Sequence, residues 1–276
     1  MTTPPIDEQV QHRVERGVAW MTLNRPEAGN SLTPDQRNYL ITLLDRASAD
    51  LAVRAVVITA AGDRHFCTGA DLRVDRPEEI PKPEGAPDRA PGFVARGITM
   101  GAQRLIAAVL DCEKPVVAAV NGTAAGIGAH LAFASDLVIA SETARFIEVF
   151  VRRGIAPDGG GAYLLPRMIG MQKAKELVLF GDDTPALEAE RLGLVNRVVA
   201  PDKLIDTARE WAERLAAGPT IALTQAKRLL NRSLESDRGT SFIEEATAQE
   251  VIMSSRDANE GVAAYVERRT PDFIGW

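Results

Sequence analysis

Pro115-Val116-Val117-Ala118-Ala119-Val120 runs directly into Asn121-Gly122-Thr123-Ala124-Ala125-Gly126-Ile127-Gly128-Ala129-His130. The opening residues are apolar and β-branched without alternation, the pattern of a strand buried on both faces of a parallel sheet. The residues that follow are small and glycine-punctuated, and then turn helical. Ala55 to Thr59 (AVVIT) and Leu137 to Ala140 (LVIA) repeat the buried-strand pattern on either side. Between them Ile98, Ala102, Leu105, Ile106 and Val109 share one helical face. Strands alternating with helices predict an α/β fold, with ligands expected where strands end and helices begin.

The flanks fit this frame. Val14 to Leu23 alternates around Gly17 and reads as a strand. Thr33-Pro34-Asp35-Gln36 reads as an N-cap with Pro at the first helical position, opening a helix to about Ala49. Arg73 to Gly92 carries five prolines among acids and arginines and has no core periodicity, which predicts a long, mobile loop. From Pro201 the chain turns helical, with Leu204, Ala208, Trp211 and Leu215 in one stripe and a further helix from Pro219. The expected organisation is a core over residues 1–200 and a helical region over 201–276.

The 276 residues are 45% hydrophobic and 25% charged, which excludes a disordered or fibrous chain. A net charge of -6 and 5% aromatic residues argue against a nucleic-acid partner. Cys67 and Cys112 make no disulfide framework and no metal-ligand cluster surrounds them, so both are expected as buried small hydrophobes. The N-terminus lacks the basic-then-apolar run of a signal peptide, and no window offers about 18 uninterrupted apolar residues. A soluble cytoplasmic protein is the expectation.

Two segments carry potential chemistry: His65-Phe66-Cys67-Thr68-Gly69-Ala70-Asp71-Leu72 and Asn121 to His130. Each follows a buried strand, and each combines small residues with a helix start, so that free N–H groups can hold a developing negative oxygen. Tight strand–helix packing explains either segment equally well. A third segment, Arg153-Gly154-Ile155-Ala156-Pro157-Asp158-Gly159-Gly160-Gly161, is a Pro-Asp-Gly turn entering a helix. It lacks the Lys-Ser/Thr of a phosphate loop and the spacing of a dinucleotide fingerprint.

Together these segments resemble the enoyl-CoA hydratase/isomerase (crotonase) superfamily. The likeness runs from Leu23-Asn24-Arg25-Pro26 and Asn30-Ser31-Leu32 through Phe66–Leu72, Asn121–Asp136 and Gly154–Gly161. It continues to Arg191-Leu192-Gly193-Leu194-Val195 and Tyr265-Val266-Glu267-Arg268-Arg269. The resemblance implies a spiral of ββα repeats with a helical C-terminal trimerisation region, as a homotrimer or a dimer of trimers. It implies a coenzyme A thioester substrate, with no separate cofactor, no metal and no membrane partner. It implies an oxyanion hole from the N–H groups of Ala70 and Ile127. Substrate contacts are implied at Ala28, Phe66, Asp71, Leu72, Gly126, Phe150 and Arg268.

The departures from the family pattern are specific. Family hydratases add water to a conjugated double bond with two glutamates; the corresponding positions here hold His130 and Phe150. Glu148 is expected to point elsewhere, whether its segment is extended or helical. His130 is either a proton-transfer group or a hydrogen-bonded helix histidine. Asp158 resembles a catalytic aspartate of some isomerase branches, or it is simply a turn residue. The expectation is an acyl-CoA enzyme of the hydratase/isomerase type, leaning towards isomerisation. The alternative is a non-catalytic acyl-CoA-binding protein on the same fold.

Overall fold

The computed structural model describes residues 4–73, 83–87 and 91–276. The expected Pro-rich loop from Arg73 to Gly92 falls largely outside the described residues. Strands are β1 Val10–Glu15, β2 Val18–Leu23, β3 Ala55–Ala60, β4 His65–Cys67, β5 Val116–Val120, β6 Thr123–Ala125, β7 Leu137–Ser141, β8 Arg145–Ile147, β9 Asp183–Pro185 and β10 Arg197–Val199. Helices are α1 Ile6–Gln9, α2 Pro34–Ala49, α3 Phe93–Ile98, α4 Arg104–Leu110, α5 Ile127–Phe133, α6 Gly161–Phe180, α7 Ala186–Leu192, α8 Leu204–Ala216, α9 Thr220–Arg232, α10 Arg238–Met253 and α11 Arg256–Glu267.

Val14 to Leu23 is a hairpin, not a single strand. Arg16 and Gly17 both take positive φ, 51° and 76°, and turn β1 antiparallel onto β2. The predicted helix from Pro34 is present: Thr33 Oγ1 accepts from Gln36 N–H while Gln36 Oε1 accepts from Thr33 N–H, a full capping box.

The six-stranded sheet runs β1-β2-β3-β5-β7-β10 and the four-stranded sheet β4-β6-β8-β9. β3/β4, β5/β6 and β7/β8 each give one strand to each sheet, and each pair is followed by helix. This is a spiral of ββα turns. Pairing in the large sheet is parallel from β2 to β10. The side chains of β3 and β5 alternate between two cores, as a period of two requires. Val56, Ile58, Val116, Ala118 and Val120 join α2, α4 and α5. Val18, Trp20, Ala55, Val57, Val117, Ala119 and Ile139 pack on Leu204, Ala208, Ala212 and Ala216 of α8. Thus α8, which lies beyond the boundary expected at residue 200, covers the outer face of the sheet. Lys227 of α9 is tied to it as well, donating to Asp136 Oδ2 at 2.8 Å and to the Val109 carbonyl.

Phe93–Leu110 is one helical run interrupted by a π turn at Thr99–Gln103. By length and composition it could cross a membrane. It carries Arg96 and Arg104, however, and buries Leu105, Ile106 and Val109 against the core. Cys67 and Cys112 are buried free thiols, and burial pushes Cys67 up to about 12.

Candidate active site

The two donor segments meet because β4 and β6 are parallel neighbours in the small sheet, with His65 opposite Thr123 and Cys67 opposite Ala124. Beyond β6 the chain reverses at Gly126, whose φ of 55° and ψ of -125° suit glycine alone, and enters α5 at Ile127. The Ile127 N–H stands in the first turn, where a helix has no acceptor of its own. Gly128 is pressed on Cys67: a methyl group there would overlap the Cys67 carbonyl and lie 2.7 Å from its Cβ. A side chain at Gly69 would lie 3.2 Å from the Ala125 carbonyl oxygen. The strand ends are therefore in direct contact.

Beside Ala70, Leu32 N–H donates to the Gly69 carbonyl at 2.8 Å and Asp71 N–H to the Leu32 carbonyl at 2.9 Å. The Ala70 N–H takes no partner among the described residues, and Ala70 itself is exposed. The loop is braced from below. Asp71 accepts from Arg25 at 3.1 Å and from Arg73 at 3.1 Å, while Arg25 also donates to the Ser31 carbonyl and to Gln36 Oε1. Burial alone would push the Asp71 carboxyl up. The hydrogen bonds from Arg73, Arg25 and Ser31 outweigh it and bring the carboxyl from 3.8 down to about 2.

This pairing makes a pH prediction. A carboxyl with a depressed folded pKa stabilises the fold above its unfolded pKa, and the contribution fades as pH falls through the folded value. Asp71→Asn is expected to lower unfolding free energy by about 1 kcal/mol near neutral pH. The gap between variant and wild type should close as pH falls from about 4 towards about 2. Urea unfolding at several pH values measures it; a constant gap would show that the ion pairs do not hold the loop.

One turn into α5, His130 is wholly buried. Its Nε2 lies 3.2 Å and 3.1 Å from the two carboxylate oxygens of Glu148, itself only 3% exposed. The Phe150 ring stacks on the imidazole at 5.3 Å between centroids and 14° between planes. This corrects the expectation for Glu148. The chain after β8 is a turn, neither extended strand nor helix, and it places both Glu148 and Phe150 against His130. Gly161 leaves room for the ring, since a methyl there would lie 2.5 Å from His130 Cε1. Among the described residues, no acceptor or donor meets His130 Nδ1.

Asp158 is half-buried in the turn before α6. Burial pushes its carboxyl above the ordinary range, and nearby His130 pulls the other way without reversing it. The next residue, Gly159, would put a side chain 2.9 Å from Ile127 Cδ1 and 3.6 Å from His130 Nδ1. Asp158, His130 and Ile127 therefore belong to one neighbourhood.

The remaining candidates divide. Gly126 backs onto Phe150, with 3.6 Å between a side chain at Gly126 and the ring. Ala28 closes the short helical turn Pro26–Ala28, and its carbonyl accepts from Ser31 Oγ at 2.9 Å. Leu72 is 71% exposed beside the Ala70 loop. Phe66 does not reach the surface: it is 0% exposed and packs in the core together with Cys67, the next residue of β4. Arg268 is an exposed left-handed residue closing α11, and no side-chain hydrogen bond or ion pair joins it to the site among the described residues. No three His, Cys, Asp or Glu side chains gather as a metal-ligand set among the described residues.

Known proteins resemble this chain over nearly its whole length. The family model for enoyl-CoA hydratase/isomerase matches residues 13–275. The 1,2-epoxyphenylacetyl-CoA isomerase of Escherichia coli is 37% identical over 268 residues, covering 97% of this chain and 99% of the relative. The short-chain-enoyl-CoA hydratase of Clostridium acetobutylicum is 35% identical over 255 residues, covering 92% and 93%. The crystal structure of an enoyl-CoA hydratase/isomerase from Cupriavidus metallidurans superposes with a TM-score of 0.85 at 33% identity, covering 98% of this chain and 97% of that one. Paired strands that feed two sheets, glycine-lined strand ends in contact, and a sequence match from residue 13 to 275 agree: the chain belongs to the enoyl-CoA hydratase/isomerase family of the crotonase superfamily.

Proposed function

We propose that the protein isomerises the double bond of an enoyl-CoA thioester. In this reading the thioester carbonyl lies between the N–H groups of Ala70 and Ile127, and Asp158 moves the proton. The carrying observation is Asp158 itself: a half-buried carboxyl, raised by burial, in the same neighbourhood as the start of α5. Taking a proton from the carbon next to the thioester leaves an electron pair that the carbonyl oxygen carries. Two backbone donors stabilise that oxygen, each lowering the barrier by about 3–4 kcal/mol. A single carboxylate both takes the proton and returns it to another carbon. A raised pKa suits the returning step without abolishing the base.

Hydration places different demands on the site. It needs one group to activate water and another to protonate carbon, a task that family hydratases divide between two glutamates. Phe150 has no proton to give or take, and Glu148 is committed to His130. Crotonyl-CoA hydration is therefore expected roughly 10²-fold or more below isomerisation of a matched 3-enoyl-CoA, a general acid–base group supplying about 10²–10⁴-fold. Purified protein assayed on both substrates tests this. Faster hydration than isomerisation would refute the reading. Thioester binding without turnover would instead establish a binding protein.

Self-assembly is part of the proposal. Phe242, Ile243, Val262, Tyr265 and Val266 of α10 and α11 are 60% or more exposed, apolar residues suited to contact with other copies of the chain. A trimer or a dimer of trimers is expected by analytical ultracentrifugation, and a monomer at micromolar concentration would rule that out.

A further inference from the structure

We infer that Glu148 is a positioning residue that holds His130 in the Nε2–H tautomer, leaving Nδ1 as a bare acceptor for the proton that Asp158 collects. The inference rests on the isomerase reading for Asp158, but the tautomer itself is independent of it.

Three observations lead there. First, Glu148 presents both oxygens to the same ring nitrogen at nearly equal distances, 3.1 Å and 3.2 Å. One N–H shared between two carboxylate oxygens produces that symmetry, whereas a protonated carboxyl would donate through one oxygen. Second, His130 is 0% exposed and its Nδ1 meets no partner among the described residues. A second N–H at that atom would be a buried charged donor without an acceptor, the costlier arrangement. Third, the open nitrogen lies on the Asp158–Gly159 side of the ring, 3.6 Å from where a Gly159 side chain would begin. The groups around the imidazole are thus Glu148 from the loop after β8, Phe150 stacked on its plane, and the Asp158–Gly159 turn before α6, whose Gly159 position lies beside Nδ1.

The proton accounting is simple. The Asp158 carboxylate takes a proton from a substrate carbon, and the C–H electron pair remains on the thioester as an enolate. The new Asp158 O–H donates its hydrogen bond to Nδ1. The Glu148 carboxylate balances the positive character that builds on the ring. The same proton then returns to a different carbon, the enolate pair forms the new C–H bond, and nothing is consumed. Asp158 is the catalytic residue; Glu148 never touches substrate and acts through the ring.

The test combines nitrogen NMR with kinetics. In ¹⁵N-labelled protein carrying His12→Gln and His65→Gln, His130 is the sole histidine. At neutral pH its Nδ1 should resonate in the unprotonated imidazole range and its Nε2 in the protonated range. Acetoacetyl-CoA, a thioester that forms a stable enolate, should move the Nδ1 signal. Glu148→Gln should lower kcat for isomerisation roughly 10–10²-fold with KM unchanged, and Glu148→Asp should recover part of it. A proton on Nδ1 in the wild type would overturn the inference, as would a Glu148→Gln variant with wild-type kcat and unchanged nitrogen shifts. A wild-type protein with no isomerase activity would overturn the functional reading alone, while its nitrogen shifts would still decide the tautomer.

Discussion

Asp158→Asn is expected to lower any isomerase rate by about 10²-fold or more while leaving acyl-CoA affinity nearly intact. The substitution keeps the shape of the side chain and much of its turn chemistry, but an amide cannot take a proton from carbon. Asp158 lies between Pro157 and Gly159-Gly160 in a turn that packs on Ile127 and His130, so asparagine is accommodated without repacking. Binding should survive because the donors at Ala70 and Ile127 belong to other elements. Solvent deuterium entering the substrate reports the proton-transfer step directly, independently of double-bond equilibrium. Equal exchange by wild type and variant would reduce Asp158 to a turn residue and leave His130 as the remaining candidate.

Gly128→Ala should have the largest effect on stability. The added methyl would overlap the Cys67 carbonyl and stand 2.7 Å from its Cβ, and the obstacle is backbone of a buried strand, which cannot rotate away. Overpacking a core typically costs about 1–3 kcal/mol, and a collision with backbone belongs at or above the top of that range. The expected result is a loss of about 3 kcal/mol or more in unfolding free energy, read from the urea midpoint. Gly97→Ala in α3 is the control, since nothing lies within 4 Å of that position. It should be neutral or slightly stabilising, because alanine restricts the unfolded chain and favours helix. Equal midpoints for the two variants would mean that β4 and α5 are not packed as described.

The large elements were legible in the sequence because their signals are local. Thr33-Pro34 and Gln36 announce the start of α2 within a few residues, and the cap forms as expected. The apolar runs of β3, β5 and β7 are long enough to reveal strands buried on both faces. The strands β4, β6, β8 and β9 span only three residues each, too few for any periodicity to show. Half of the hairpin was hidden for another reason. Alternation continues on both sides of Gly17, so Val14 to Leu23 reads as one strand unless Arg16-Gly17 is recognised as a turn with positive φ at both positions.

Within the site, Asp158 and His130 were visible as residue types next to glycines, but their mutual placement was not. Glu148 was missed because face arguments assume a regular element. The turn from Glu148 to Phe150, ahead of the short 3-10 helix Val151–Arg153, has no face, and only the fold brings that carboxylate under His130. Phe66, expected at the substrate from the family likeness, instead has its ring in the core together with Cys67, the next residue of the three-residue β4.

The pairing of β4 with β6 has a consequence for how such a catalyst changes over time. Hydrogen-bond register between strands is a discrete quantity: a slip moves every side chain to the opposite face, with no intermediate arrangement. On the proposed function, the spacing between the Ala70 and Ile127 N–H groups is inherited from that register, and so it is effectively digital, either kept whole or lost whole. Surfaces that face the acyl chain carry no such constraint and can be altered one residue at a time. On that reading, selectivity can wander by small steps across many sequences, while the proposed donor pair is passed on as an indivisible unit.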